Sequence, residues 1–324
     1  MSGQVEDIKA MTKPLAAPCQ QSDLISELLS ALNKLPELPC AGDASSADLL
    51  CRSMQYSLGL RGKRTRGLLV LLIAQAWGKP WKSAMDCANA IEMVHTASLV
   101  IDDLPSMDDA ATRRGEPTNH VKFGEPVSIL TGISLLSEAL RMQAPSEQLN
   151  PEQRNQAVAC LASAIGPVGM AAGQMRDLAP SGTTLGDVEL THALKTGSLF
   201  AAAAELGCIA AEVDGARKWM LSDFGMLLGK AFQELDDLID VSTAVHIAGK
   251  DTEKDVGKPT VVGLMGYDGA EKRALRQIEL ALECLEASGI NAGELRRYTL
   301  DLTRTMRKII GRSTSMTSGA AGCQ

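Results

Sequence analysis

Two segments of this chain are apolar on every face of a helix rather than along one stripe: much of residues 88–101, and the run LFAAAA at 199–204. A helix of that kind has no side to offer to water, so it must lie inside a shell of other helices. The rest of the chain repeats a one-faced version of the pattern. Ser22 precedes Leu24, Ile25, Leu28, Leu29 and Leu32, a capped start followed by apolar residues three and four apart. Comparable periodicity predicts helices over about 46–58, 64–77, 80–103, 125–143, 152–175, 186–211, 214–243, 270–288 and 293–311. Turn signals separate them, among them Gly78-Lys79-Pro80, Gly115-Glu116-Pro117 and Pro180-Ser181-Gly182. No alternating β-branched run supports a sheet. Aromatic residues are only 3% of the 324, so Ala, Leu, Val, Ile and Met must fill the core, a palette that suits packed helices. The expectation is a single all-α domain over residues 22–312, a helical bundle between a leader at 1–21 and a small polar tail at 313–324.

The net charge of -7 argues against a nucleic-acid partner, which would reward a broad basic field. No uninterrupted apolar run reaches the roughly 18 residues of a membrane span. The first residues mix Glu6 and Asp7 with Lys9 and Lys13 and have no apolar core before a cleavage site. The eight cysteines, Cys19, Cys40, Cys51, Cys87, Cys160, Cys208, Cys284 and Cys323, form no C-x-x-C pair and no zinc-like spacing. They read as free thiols in a reducing compartment, hence a cytoplasmic protein.

Acidic residues gather in two places on these apolar helices. Asp102-Asp103-Leu104-Pro105-Ser106-Met107-Asp108-Asp109 ends the first interior segment, where Pro105 breaks the helical ladder. Carboxylates there face the negative end of the helix dipole, so stability does not account for them. In Asp236-Asp237-Leu238-Ile239-Asp240 a spacing of four puts Asp236 and Asp240 on one helical face, about 6 Å apart, with Gln233 one turn earlier. Two such charges repel by about 3 kcal/mol at an effective dielectric of about 20, a cost that a counter-cation removes. A solvated acidic face is the plain alternative for either cluster alone. Two clusters on apolar helices point instead to a hard cation, and oxygen ligands without a matching His or Cys set favour magnesium held jointly with substrate phosphates. Cations suited to such a substrate stand near loops at Lys63, Arg64, Arg66, Arg113, Arg114, Lys195, Lys250 and Lys258, each of which alone reads as an ordinary surface charge. His95, two turns before Asp102 on the same face, reads from its chemistry alone as a core histidine.

Taken together, these residues resemble the trans-isoprenyl diphosphate synthase family, in particular bacterial geranylgeranyl diphosphate synthases of the carotenoid-pathway type. The resemblance spans about residues 58–262. It rests on Gly62-Lys63-Arg64-Thr65-Arg66, on the first aspartate-rich region at 95–115, on Gly173-Gln174 with Asp177, on Lys195-Thr196, on GKAFQELDDLID at 229–240, and on Gly249-Lys250-Asp251 and Gly257-Lys258. It implies an all-α bundle around a deep central apolar cavity, the isoprenoid synthase fold, assembled as a homodimer. It further implies magnesium, about three ions with diphosphate bound, on Asp102, Asp103 and Asp108 of one wall and Asp236 of the other, with Asp237 and Asp240 in support. By the same resemblance Arg113, Lys195, Lys250 and Lys258 hold the allylic diphosphate with Gln233 near it, Lys63, Arg66, His95 and Arg114 hold isopentenyl diphosphate, and Thr196 also binds substrate. The chain departs from the pattern at Gly67, where Pro is common, at Ile101, where many members have His, and after Gly132, where an Asp is common.

The activity so implied is condensation of isopentenyl diphosphate with dimethylallyl, geranyl or farnesyl diphosphate to give geranylgeranyl diphosphate, by ionisation, condensation and proton loss. Ala97 and Ser98, small residues one turn below Asp102, leave room for a twenty-carbon chain, with Met93 as a possible floor; a phenyl ring at Ala97 is then expected to shorten the product. Small residues there also suit close helix packing. A farnesyl diphosphate synthase and a noncatalytic partner subunit of another prenyl synthase are the alternatives. A terpene cyclase lacks its second metal motif here, and no G-x-x-x-x-G-K-[ST] run marks a P-loop enzyme.

Overall fold

The structure, a computed structural model, describes residues 23–34, 36–38, 46–60, 62–180, 182–246 and 259–320. Its helices are α1 (Asp23–Leu32), α2 (Ser46–Gly59), α3 (Thr65–Ala76), α4 (Met85–Asp102), α5 (Asn119–Phe123), α6 (Glu125–Arg141), α7 (Pro151–Ile165), α8 (Met170–Leu178), α9 (Leu185–His192), α10 (Ser198–Ala210), α11 (Gly215–His246), α12 (Val261–Met265), α13 (Tyr267–Ala287) and α14 (Gly293–Ala320). The two all-apolar segments are the centre of the bundle. Every residue of α10 from Leu199 to Ala210 is buried except Glu205, and α10 packs against α3, α4, α7 and α11. Most of α4 is likewise buried, between α3 and α6. A smaller cluster around Leu235, Leu238, Val261, Ala270 and Met306 closes the bundle where α11, α12, α13 and α14 meet.

Four local features depart from the periodic pattern. The expected helix at 152–175 is broken between α7 and α8, where Gly166 and Gly169 take non-helical torsions. The stretch 186–211 is helical throughout but widens into a single π-turn, Ala193–Gly197, between α9 and α10. Within the described residues, Thr112–Arg113 and Glu116–Pro117 form a short antiparallel ribbon, whose turn is made by Arg114 and Gly115 at positive φ. That two-residue turn matches strand twist, and a ribbon this short leaves no alternation for a sequence to show. Finally, α14 runs to Ala320, past the point at which a polar tail was expected to begin.

By length and composition two stretches could cross a membrane, Pro151–Leu178 and Leu185–Ala210, because Ala-rich, charge-poor helices reach a high average without any uninterrupted apolar run. The second is 72% buried within the bundle, and the first is bent between α7 and α8. Cys87, Cys160, Cys208 and Cys284 are free thiols, as expected, whereas Cys51 on α2 is disulfide-bonded. Pairing depends on approach in space, which cysteine spacing does not record.

Candidate active site

The first acidic motif sits where α4 leaves the core. Beyond Asp103 the chain folds back under the helix end: the Asp108 N–H donates to the Asp102 carbonyl at 2.9 Å, and the Ala110 N–H to the Asp103 carbonyl at 3.2 Å. This return loop brings Asp108 beside Asp102. Burial pushes the Asp102 carboxyl up to about 6, against the pull of Lys195 and with the repulsion of Asp108. Asp103, expected as a metal ligand, is ion-paired in this structure. Its side chain is only 4% exposed and is gripped by Arg113, with Nε 2.9 Å from both carboxylate oxygens and Nη2 2.6 Å from Oδ1. A fork of this kind holds Arg113 in place, and Arg113 lines the cavity.

The second motif enters from α11. Asp236 lines the cavity, and burial raises it to about 6, with Lys63 and Arg66 opposing and Asp240 adding. Asp237 turns toward the π-turn instead. Its Oδ1 accepts from Gln233 Nε2 at 3.0 Å, while Gln233 Oε1 accepts from the Thr196 hydroxyl at 2.8 Å. Burial pushes Asp237 up to about 7, and its Oδ2 lies 3.5 Å from His192 Nε2, a ring that burial holds neutral at about 4. The π-turn also carries Lys195 into the cavity, where its Nζ is 2.7 Å from Asp177 Oδ2. Gly173 makes this approach possible, since a Cβ there would stand 2.1 Å from the Lys195 backbone nitrogen.

Opposite the π-turn, the start of α3 supplies a basic pocket. The Arg66 guanidinium stacks 4.5 Å from the centre of the Phe200 ring, and Lys63 Nζ lies 5.3 Å from that of Phe232; the two rings are 5.6 Å apart. Stacking fixes both cations while leaving their polar edges free. Burial lowers Arg66 to about 10, still a cation at neutral pH. His95 lines the same cavity, and burial together with Arg66, Arg114, Arg113 and Arg64 holds it well below the ordinary histidine range. It is therefore a neutral hydrogen-bonding group in this pocket rather than a fourth charge.

These parts surround one cavity of about 900 Å³, with Asp102 and Asp236 on its walls and Lys63, Arg66, His95, Arg113, Arg114, Lys195, Thr196 and Gln233 around them. Its lining also includes the apolar Leu99, Leu136, Ile165, Met170, Met175 and Leu178, and Ser98. Of the residues expected to set product length, only Ser98 is on the wall. Ala97 and Met93 are wholly buried in helix packing, because α4 turns that face toward the core. Lys250 and Lys258 lie outside the described residues.

Among the described residues no three His, Cys, Asp or Glu side chains converge as a closed metal cage. The donors present fit magnesium all the same: Asp102 and Asp236 are costly buried carboxylates on the walls of one cavity. A hard cation completed by substrate oxygens would relieve both. Sequence reasoning passed over Glu92, Phe200 and Phe232. An acid three residues before His95 on a core helix was the available signal for Glu92. The rings carry no such signal, since their role depends on what stacks over them.

Comparison with known proteins agrees with this geometry. The family model described as polyprenyl synthetase matches residues 47–288. A geranylgeranyl diphosphate synthase of Pantoea ananas is 38% identical over 269 residues, covering 82% of this chain and 86% of that protein. A farnesyl diphosphate synthase of Geobacillus stearothermophilus is also 38% identical, over 252 residues, covering 76% and 85%. Among solved structures, an apo FPP/GFPP synthase from Zymomonas mobilis superposes with a TM-score of 0.76 at 30% identity, covering 87% of this chain and 97% of that one.

Proposed function

The chain belongs to the polyprenyl synthetase family, and from that premise we propose that it condenses isopentenyl diphosphate with an allylic diphosphate to make geranylgeranyl diphosphate. One observation carries the reading: both acidic motifs and two separate sets of cations open onto a single cavity that is also lined by Leu99, Leu136, Ile165 and Met170. Arg113 and Lys195, each ion-paired from behind, face the allylic diphosphate, and their charge matters more as the leaving group becomes more negative. Lys63, Arg66, His95 and Arg114 hold isopentenyl diphosphate so that its double bond meets the allylic carbon. Leu99, Leu136 and Ile165 keep water from the cationic carbon while the new bond forms. The departing diphosphate is the base for the final proton. Magnesium, about three ions when diphosphate is present, would neutralise the leaving group, held by Asp102, Asp108 and Asp236.

Small Ser98 beneath Asp102, with the cavity continuing to Leu136 and Ile165, supports a twenty-carbon product over a fifteen-carbon one. Val121, Ile129, Leu130 and Ile133 form an exposed apolar stripe on α5 and α6, which supports a homodimer that covers it. The deciding assay incubates purified protein with magnesium, isopentenyl diphosphate and either geranyl or farnesyl diphosphate, then resolves dephosphorylated products by length. Twenty-carbon alcohol is the expected product. Material ending at fifteen carbons would overturn the length reading, and absence of turnover would favour a noncatalytic partner.

A further inference from the structure

Glu92 is an acid buried in a basic pocket. It lies on α4 one turn before His95, lines the cavity, and its side chain is 8% exposed. Around it stand Arg64, Arg66 and Arg114, and its charge supports the latter two. A negative charge there weakens the pocket's attraction for an anion, so charge alone gives it no use in a diphosphate site.

Its contacts give it another use. Helix α3 begins after Arg64, which has a left-handed backbone and provides no side-chain cap, so the first N–H groups of the helix need a partner from elsewhere. The Gly67 N–H donates to Glu92 Oε1 at 2.8 Å. Glu92 Oε2 lies 3.7 Å from Arg64 Nη1, in a pair buried on both sides. Any side chain at 67 would also press on this contact, its Cβ coming to 2.9 Å from Glu92 Cγ and 3.1 Å from the Ala88 carbonyl.

We propose that Glu92 is a positioning residue of the isopentenyl diphosphate site: from α4 it clamps the first turn of α3 and Arg64, and so sets where Lys63 and Arg66 meet the diphosphate. This rests on the prenyltransferase reading above. Turnover by the unaltered protein tests that reading, while the ratio of variant to unaltered protein tests Glu92.

The experiment measures steady-state kinetics of the full chain, varying isopentenyl diphosphate and farnesyl diphosphate in turn. In Glu92→Gln the amide gives Gly67 an acceptor only by turning its NH2 toward Arg64, so one of the two contacts is lost. KM for isopentenyl diphosphate should rise roughly ten-fold while KM for farnesyl diphosphate stays within about two-fold. An unchanged or lower KM for isopentenyl diphosphate, as plain removal of repulsion gives, would overturn the proposal, as would an equal rise in both constants. Gly67→Ala keeps every charge and improves helix propensity, yet displaces Glu92; it should show the same selective rise, and an unchanged KM would refute the clamp. If Glu92→Gln does not fold, Gly67→Ala decides alone.

Discussion

Replacing Asp236 with Asn should stabilise the metal-free protein and disable it at the same time. Burial raises this carboxyl from 3.8 to about 6 despite Lys63 and Arg66 nearby. Because the folded value lies above the unfolded one, the protonated group favours folding fully below about pH 3.8, and that contribution is lost as pH rises through about 6. Above that window the ionised group costs the fold about 3 kcal/mol, a rise of about two pH units at about 1.4 kcal/mol each. Asn keeps the shape and removes the charge, so the cost disappears. Urea unfolding in the presence of a chelator should show the variant up to about 3 kcal/mol more stable near pH 8. Near pH 4.5, where the folded protein already holds most of the proton, the gain should fall to about 1 kcal/mol. Turnover should drop by about a hundred-fold or more, since a charge stabilising the leaving group's partner ions is gone. No gain near pH 8, or one of equal size at both pH values, would refute the argument that a desolvated charge is held here for function.

Ser98→Phe should shift the product from twenty carbons toward fifteen or fewer, because its ring projects into the cavity, whereas Ala97→Phe should cost about 1–3 kcal/mol in stability with little change of product, because Ala97 faces packed helix. Product chromatography and denaturant melts of the two variants check both; the reverse pattern would return length control to Ala97. Ile133→Glu, at the centre of the exposed stripe, should convert a dimer to a monomer by light scattering, and an unaltered protein that is already monomeric would remove the basis for the assembly.

Much of this protein is legible in one dimension. Helices apolar on every face at 88–101 and 199–204 can only be interior, and they are the central α4 and α10. Two acidic clusters on largely apolar helices suggested a counter-cation, and within them the family resemblance singled out Asp102 and Asp236. The same residue types in a row nevertheless do different work, and that division belongs to the tertiary structure. Asp102 opens onto the cavity while adjacent Asp103 is spent on Arg113, and Asp236 does so while Asp237 turns to Gln233 and His192. Ala97 and Ser98 are neighbours of similar size, yet one is core and the other wall, because a helix turns by about 100° per residue and only packing decides which face meets the hollow. Glu92 and Gly67, 25 residues apart, are joined by a hydrogen bond that no local pattern announces. Composition and periodicity determine which segments must be buried and which residues carry chemistry; the direction in which each side chain points is decided by contacts between segments remote in sequence, and those exist only once the chain has folded.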